Sequence, residues 1–319
     1  MVEHTAKWLK PLPVRADISA VCHEARPEPI NDLGYPDNMS KIAYLLRSAV
    51  QYPNKDASRC PNCSSHSGTE IDRKYLVTQL RRCNDCKLMY RTPTDSEEFN
   101  RVFYNFHYQQ GTAMVCPSDS EISGLKATNF SGTERDFSGY IGFLARHGIA
   151  PGKLFDFGCS WGYGSYQFAK AGFDTHSYEI ALDRRTYAID KLGIRHIDDP
   201  DAIKPGHPLY QSFDCFFSAH VLEHVPAPSK SIDLAWRCLK DGGAFVAFTP
   251  NGNDAFRRYN AVGWSHMWGA VHPNFLDQDF YERHFAKSRR VYGSRDGSDV
   301  NKQYELGFVA FKDASKGGF

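Results

Sequence analysis

The chain has 319 residues with 38 Lys and Arg against 37 Asp and Glu, a net charge of +1, so it lacks the bulk cationic excess of an electrostatic nucleic-acid binder. With 41% hydrophobic and 24% charged residues it can fill a packed core, which excludes general disorder. No stretch approaches the roughly 20 apolar residues of a membrane span, and the N-terminus lacks the apolar core of a secretory signal, so a cytoplasmic protein is expected.

Residues 1–55 read as an N-terminal arm. Ile42, Leu45, Leu46 and Val50 recur at helical spacing and predict one helix with an apolar face, ended at Pro53. Four of the nine cysteines then form two pairs, Cys60-Pro-Asn-Cys63 and Cys83-Asn-Asp-Cys86, with 19 residues between them. Two residues between cysteines let one tight turn aim both sulfurs at a single ion, and two such turns make a closed tetrahedral Zn²⁺ site. Lys74–Arg82 reads as a strand into the second turn and Lys87–Arg91 as the return strand. Residues 56–95 are thus expected to be a zinc ribbon. With four thiolates there is no open position for water, so the ion is structural.

Residues 96–132 form an aromatic-rich connector holding Phe99, Phe103, Tyr104, Phe106 and Tyr108, suited either to packing between modules or to a substrate mouth. Residues 133–319 read as an α/β domain. Thr133 and Asp136 suggest a helix start before Phe137, Tyr140, Ile141 and Leu144. Lys153–Phe157 is a short apolar strand that runs into the glycine turn Gly158-Cys-Ser160-Trp-Gly162 and a helix. A second strand from Asp174 carries Glu179 at its end, 23 residues beyond Asp156, where an acid can accept hydrogen bonds from ribose hydroxyls.

A helix over Leu182–Leu192 and a strand over Ile194–Ile197 follow. Phe213–Ser218 reads as a fourth strand leading into Ala219-His220-Val-Leu-Glu223-His224-Val. Ile232, Ala235, Trp236 and Leu239 predict a helix stopped by Gly242-Gly243, before a fifth strand at Ala244–Thr249 and a final pair at Arg290–Gly293 and Tyr304–Phe311. This alternation implies a doubly wound, mostly parallel sheet with its ligand at the carboxyl edge. An Asp two residues before the first glycine suits an amino-acid ammonium better than the pyrophosphate of a nicotinamide cofactor.

At this point residues 134–312 resemble the class I S-adenosylmethionine-dependent methyltransferases. Asp156-Phe-Gly158-Cys-Ser160-Trp-Gly162 is similar to their first motif, with Ser160 where the middle glycine stands. Glu179 matches the ribose-binding acid, and Ser218–Val225 resembles the segment after their fourth strand. The resemblance implies a Rossmann-like methyltransferase sheet and S-adenosyl-L-methionine as cofactor. It further implies cofactor contacts at Asp156, Gly158, Ser160, Gly162, Glu179, Ser218 and His220. A zinc ribbon joined to this core resembles enzymes of polysaccharide and deoxysugar biosynthesis. Those that C-methylate sugars carry a further C-terminal domain not found here, which favours O-methylation of a sugar or nucleotide-linked sugar.

The expected partner is therefore a small carbohydrate acceptor and not a nucleic acid. Methylation of RNA or another small molecule, and C-methylation of a sugar, are the alternatives. Asn251–Pro273 holds Phe256, Arg257, Arg258, Tyr259, Trp264, His266 and Trp268, either as a sugar- and phosphate-binding insertion or as a structural lid. If the acceptor is a hydroxyl, His224, His272 and His220 compete as the base. His224 stands first, just past the fourth strand, and His272 heads a His-Pro-x-Phe segment similar to one near the acceptor in look-alike enzymes. Glu223, adjacent to His224, is expected to orient it poorly if the segment is helical.

Overall fold

The computed structural model describes residues 41–96, Phe99 and residues 115–313. The expectations for the first 40 residues, for Phe103, Tyr104, Phe106 and Tyr108, and for the tail from 314 lie outside the described residues.

Helix α1 (Lys41–Gln51) forms, but with a different face inward. Ile42, Leu46 and Val50 are exposed, while Tyr44 and Ser48 are buried. An ion-pair cluster sets this rotation: Arg47 of α1 and buried Arg91 both bind the carboxylate of Asp95. Strands β1 (Gly68–Lys74) and β2 (Thr78–Cys83) make a hairpin, and β3 (Met89–Thr92) pairs antiparallel with β2. The strand expected over Lys74–Arg82 is broken, because Tyr75 and Leu76 adopt left-handed φ values of 53° and 62° at the hairpin turn.

Helix α2 (Asp119–Ala127) has no counterpart in the expected elements, although Ser118 and Glu121 build its capping box. Helix α3 (Ser138–Arg146) starts later than Thr133, since Asp136 caps Ser138 N–H at 2.8 Å. The domain then alternates as expected: β4 (Lys153–Phe157), α4 (Tyr163–Lys170), β5 (Asp174–Tyr178), α5 (Leu182–Leu192), β6 (Arg195–His196), β7 (Phe213–Ala219), α6 (Pro228–Cys238) and β8 (Leu239–Pro250). Helix α6 ends at Cys238, before the glycines, and Gly242 (φ +79°) instead lies within an irregular start of β8. Two short helices, α7 (Asp254–Tyr259) and α8 (Ala261–His266), precede β9 (Asn274–Phe275) and α9 (Gln278–His284). Strands β10 (Arg289–Gly293) and β11 (Glu305–Phe311) close the chain.

The seven-stranded central sheet has the order β10-β11-β8-β7-β4-β5-β6, with β4 to β8 parallel and β11 antiparallel to both neighbours. The strand order reverses between β4 and β7, which opens a crevice at their carboxyl ends. Strands buried on both faces read as continuous apolar runs. Phe216 and Phe245 pack on one side with α6, while Phe217 and Val246 pack on the other with α3 and α4. Leu88, Tyr90 and three of the paired cysteines belong to the same core as Phe216 and Phe245. The cysteine hairpin is therefore continuous with the α/β core.

A second cluster joins Leu80 and Met89 of the hairpin to Phe256, Trp264, Trp268 and Phe275. Trp264 sits at its centre: its indole N–H donates to the Gly252 carbonyl at 3.0 Å and its ring lies 5.0 Å from that of Phe275. Trp264→Ala should cost about 3–5 kcal/mol of stability, read as a shift of the urea midpoint with unchanged secondary structure.

Candidate active site

The turn after β4 brings the expected cofactor residues to the crevice. Gly158 and Gly162 take φ values of +85° and +87°, and Ser160 occupies the left-handed region at +51°. That conformation disfavours a side chain, so Ser160 stands where a glycine would be unstrained. Glu179 pins this turn. Its Oε2 accepts from Ser160 N–H at 2.9 Å, and its Oε1 accepts from Ala181 N–H at 2.9 Å and from Arg184 at 3.1 Å. Since an ionised carboxylate offers about four lone-pair sites, Glu179 keeps capacity for further donors.

Asp156 lies beneath the turn. Burial raises its carboxyl to about 7, against the Ser165 hydroxyl, which donates to it at 2.5 Å. Ser218, near the end of β7, is buried, and its hydroxyl has no hydrogen-bond partner among the described residues. On the β7 side of the crevice Val221 covers Gly158, and a Cβ on Gly158 would come within 2.3 Å of Val221 Cγ2. Trp161 is fully buried and packs with Phe130, Tyr187 and Leu192.

The segment after β7 is a turn and not a helix. His220 takes a left-handed φ of +56° and its ring is half exposed. Burial opposes its charge, but Glu223 and Glu305 on either side raise it to about 10, so it is a cation near neutrality. Its Nε2 lies 2.7 Å from Glu305 and its Nδ1 3.4 Å from Glu223. A cationic His220 is a weaker candidate for the base than a neutral imidazole.

His224 is the opposite case. Burial lowers it to about 4, with Glu223 opposing and His272 reinforcing the shift. Its Nδ1 is 2.9 Å from the Val271 carbonyl, so that nitrogen carries the proton and donates, leaving Nε2 unprotonated near neutrality. His272 comes from the segment before β9 yet stands beside it, with ring centroids 4.9 Å apart, and its Nδ1 is 2.6 Å from the Met267 carbonyl. In this turn Glu223 faces its neighbour after all, at 3.9 Å from His224 Nε2, although the Val271 carbonyl orients the ring.

Most of the aromatic insertion packs against the cysteine hairpin, while Tyr259 is exposed. Phe256, Trp264 and Trp268 are buried against the cysteine hairpin, and Trp268 and Ser265 both donate to Asp72. Arg257 binds the Ile71 carbonyl and lies over Trp264. These rings and Arg257 are occupied by packing and offer no sugar-stacking surface. Sequence periodicity could not separate the two roles, because an aromatic ring suits a core as well as a pocket.

In the hairpin, Cys60 Sγ is 3.5 Å from Cys86 Sγ and Cys63 Sγ is 3.5 Å from Cys83 Sγ, with all four within 4.8 Å. These separations are too long for a disulfide and near the roughly 3.8 Å edge of a tetrahedron with Zn–S bonds of about 2.3 Å. The quartet could therefore hold a zinc ion.

Residues 132–288 match the family described as a methyltransferase domain, and this segment contains the glycine turn, Glu179 and all three histidines. They form a class I S-adenosylmethionine-dependent methyltransferase domain, and the chain is an S-adenosylmethionine-dependent methyltransferase. The ubiquinone biosynthesis O-methyltransferases of Psychrobacter cryohalolentis and Psychrobacter arcticus are each 29% identical over 184 residues, 54% of this chain and 68% of theirs. Among solved structures, an S-adenosylmethionine-dependent methyltransferase from Clostridium acetobutylicum matches at a TM-score of 0.42 and 10% identity, covering 61% of this chain and 98% of that one. An O-methyltransferase family protein from Burkholderia thailandensis matches at 0.42 and 15%, covering 62% and 59%. No helix among the described residues is long and apolar enough to cross a membrane.

The Ser218 hydroxyl, without a hydrogen-bond partner among the described residues, suits a donor seated in this crevice, and Val221 packed on Gly158 leaves no room for a side chain there. Gly158→Ala should weaken S-adenosylhomocysteine binding at least tenfold by calorimetry, because its Cβ would displace Val221. Adding Val221→Ala should recover part of that loss, as expected for two contacting sites.

Proposed function

We propose that the enzyme O-methylates a hydroxyl of a small acceptor held against His224 and His272. The observation that carries this reading is the pair of adjacent imidazoles at the strand-order reversal, both oriented through Nδ1 by backbone carbonyls. With Nδ1 of each ring turned to a carbonyl, Nε2 would face the acceptor hydroxyl, and His224 stays neutral well below pH 7. Asp156, Gly158, Ser160, Gly162, Glu179 and Ser218 would hold the donor, with Asp156 toward its amino-acid end and Glu179 toward its ribose. His220 would border it as a cation. When bound, the donor supplies a methyl group on a sulfonium, and the chain's own task is to align the acceptor oxygen and remove its proton.

A sugar or nucleotide-linked sugar is the acceptor class we favour, on the resemblance of a zinc ribbon joined to this core. The buried tryptophans lend it no support. A ubiquinone-type acceptor is the second reading, favoured by the 29% identity with enzymes of that name. Turnover of nucleotide sugars against ubiquinone precursors in one panel separates the two. Cys60, Cys63, Cys83 and Cys86 would carry structural zinc.

His224→Ala should lower kcat by about 10²–10⁴ with S-adenosylhomocysteine affinity retained. The pH dependence follows from the lowered proton affinity of His224, which in the unfolded chain titrates near 6.5. Between pH 6.5 and 4 the unfolded chain takes up a proton that the folded one refuses. Its contribution to stability is thus whole above 6.5 and lost as pH falls toward 4. Denaturant titrations at pH 5 and 7.5 should show wild type losing more stability on acidification than His224→Ala.

Removing zinc with a strong thiol-competing chelator should abolish turnover while the α/β domain still binds S-adenosylhomocysteine, because the histidine segment is held by the cysteine hairpin. Loss of both together would place the dependence on global folding instead.

A further inference from the structure

Glu223 is fully buried, and neither carboxylate oxygen has a hydrogen-bond partner among the described residues. The nearest histidine nitrogens are His220 Nδ1 at 3.4 Å and His224 Nε2 at 3.9 Å, and His220 makes its short contact with Glu305 instead. A buried carboxylate whose lone pairs are unsatisfied is costly unless something positive completes it.

The His224 and His272 rings lie 4.9 Å apart, and each donates its Nδ1–H to a backbone carbonyl. This is how a metal-ligating histidine is usually oriented: the carbonyl fixes the ring and the tautomer and leaves the other nitrogen as ligand. One ligand atom from each of Glu223, His224 and His272 can be chosen so that all three lie within 4.8 Å of one another.

We propose that Glu223, His224 and His272 form a divalent-cation site whose open positions take the acceptor hydroxyl. Two imidazoles and a carboxylate suit Mn²⁺, Fe²⁺, Co²⁺ or Zn²⁺, and three protein ligands leave room for substrate oxygen. On the cation the hydroxyl O–H bond breaks, its electron pair stays on the coordinated oxygen, and the proton passes to solvent. That oxygen then forms the new C–O bond as the S–CH₃ bond breaks with its pair on sulfur. The catalytic part rests on the hydroxyl-acceptor reading and, with the cation bound, gives His224 and His272 the role of ligands in place of that of base, whereas the cation site stands on the geometry alone.

The test uses the full chain with its cysteines zinc-loaded and Mn²⁺ as the probe, followed by loss of the free Mn²⁺ EPR signal with no acceptor present. Wild type should bind one Mn²⁺ per chain. Glu223→Gln and His272→Ala should each weaken that binding by about 10–100-fold or more, with S-adenosylhomocysteine affinity retained as the measure of folding. His272 is only half-buried, so its variant keeps the test valid if Glu223→Gln does not fold. No uptake of Mn²⁺ or of a second Zn²⁺ by wild type at millimolar metal would overturn the site, as would unchanged binding in His272→Ala. A positive result here with no hydroxyl acceptor methylated would leave the site standing and reject only the acceptor reading.

Discussion

The geometry of the active site depends on the pairing of β3 with β9. Met89 pairs with Phe275 and Tyr90 with Asn274, and Arg91 N–H reaches the Pro273 carbonyl at 2.7 Å. From the same segment Asn274 N–H donates to the Glu223 carbonyl at 3.2 Å, and its side-chain amide donates to Val225. One strand of the cysteine hairpin is thus two hydrogen bonds from the turn that bears Glu223 and His224, and next to His272. Arg82 reinforces the joint through buried Asp277, which also caps α9. A two-residue strand has little stability of its own. It forms here because the hairpin offers an edge and Phe275 fills the core between the two sheets.

Two histidines four residues apart hold opposite charge states because their surroundings differ. His220 lies between Glu223 and Glu305, and Glu305 is itself held by Arg295 at 2.7 Å and Tyr140 at 2.8 Å. His224 meets a second imidazole and a backbone carbonyl in a drier place. The cation on His220 offsets carboxylate charge from one side only, so Glu223 retains lone pairs toward His224 and His272. This asymmetry divides the turn into a charged edge at His220 and a neutral one at His224.

Much of the α/β frame was legible because strands buried on both faces leave apolar runs, and Phe213–Ser218 and Ala244–Thr249 are such runs. The glycine turn and Glu179 were legible from spacing, since only a tight turn brings residue 160 back to the end of the next strand. What failed to read was whatever depended on distant partners. The inward face of α1 is chosen by Asp95, the break at Tyr75 by the hairpin it closes, and the burial of Trp264 and Trp268 by the cysteine hairpin. The closeness of Glu223 to His224 was missed because a helix was the assumed geometry, and adjacent residues in a turn obey no such rule. His272 could be suspected from its sequence but placed only through β9.

The two donor sets at the ends of this connection differ in chemistry. At one end four cysteine sulfurs converge and could hold a soft or borderline ion with no vacancy for substrate. At the other end a carboxylate and two imidazoles converge from one side, a set suited to harder ions and open to an oxygen ligand. The sulfur site can fix the hairpin whatever happens at the other end, and a fixed hairpin holds His272 within reach of His224. Orientation is thus supplied where no chemistry takes place, through β3, β9 and Asn274. His224 and His272 are each oriented there by a backbone carbonyl, of Val271 and of Met267, so that neither ring depends on the other for its direction.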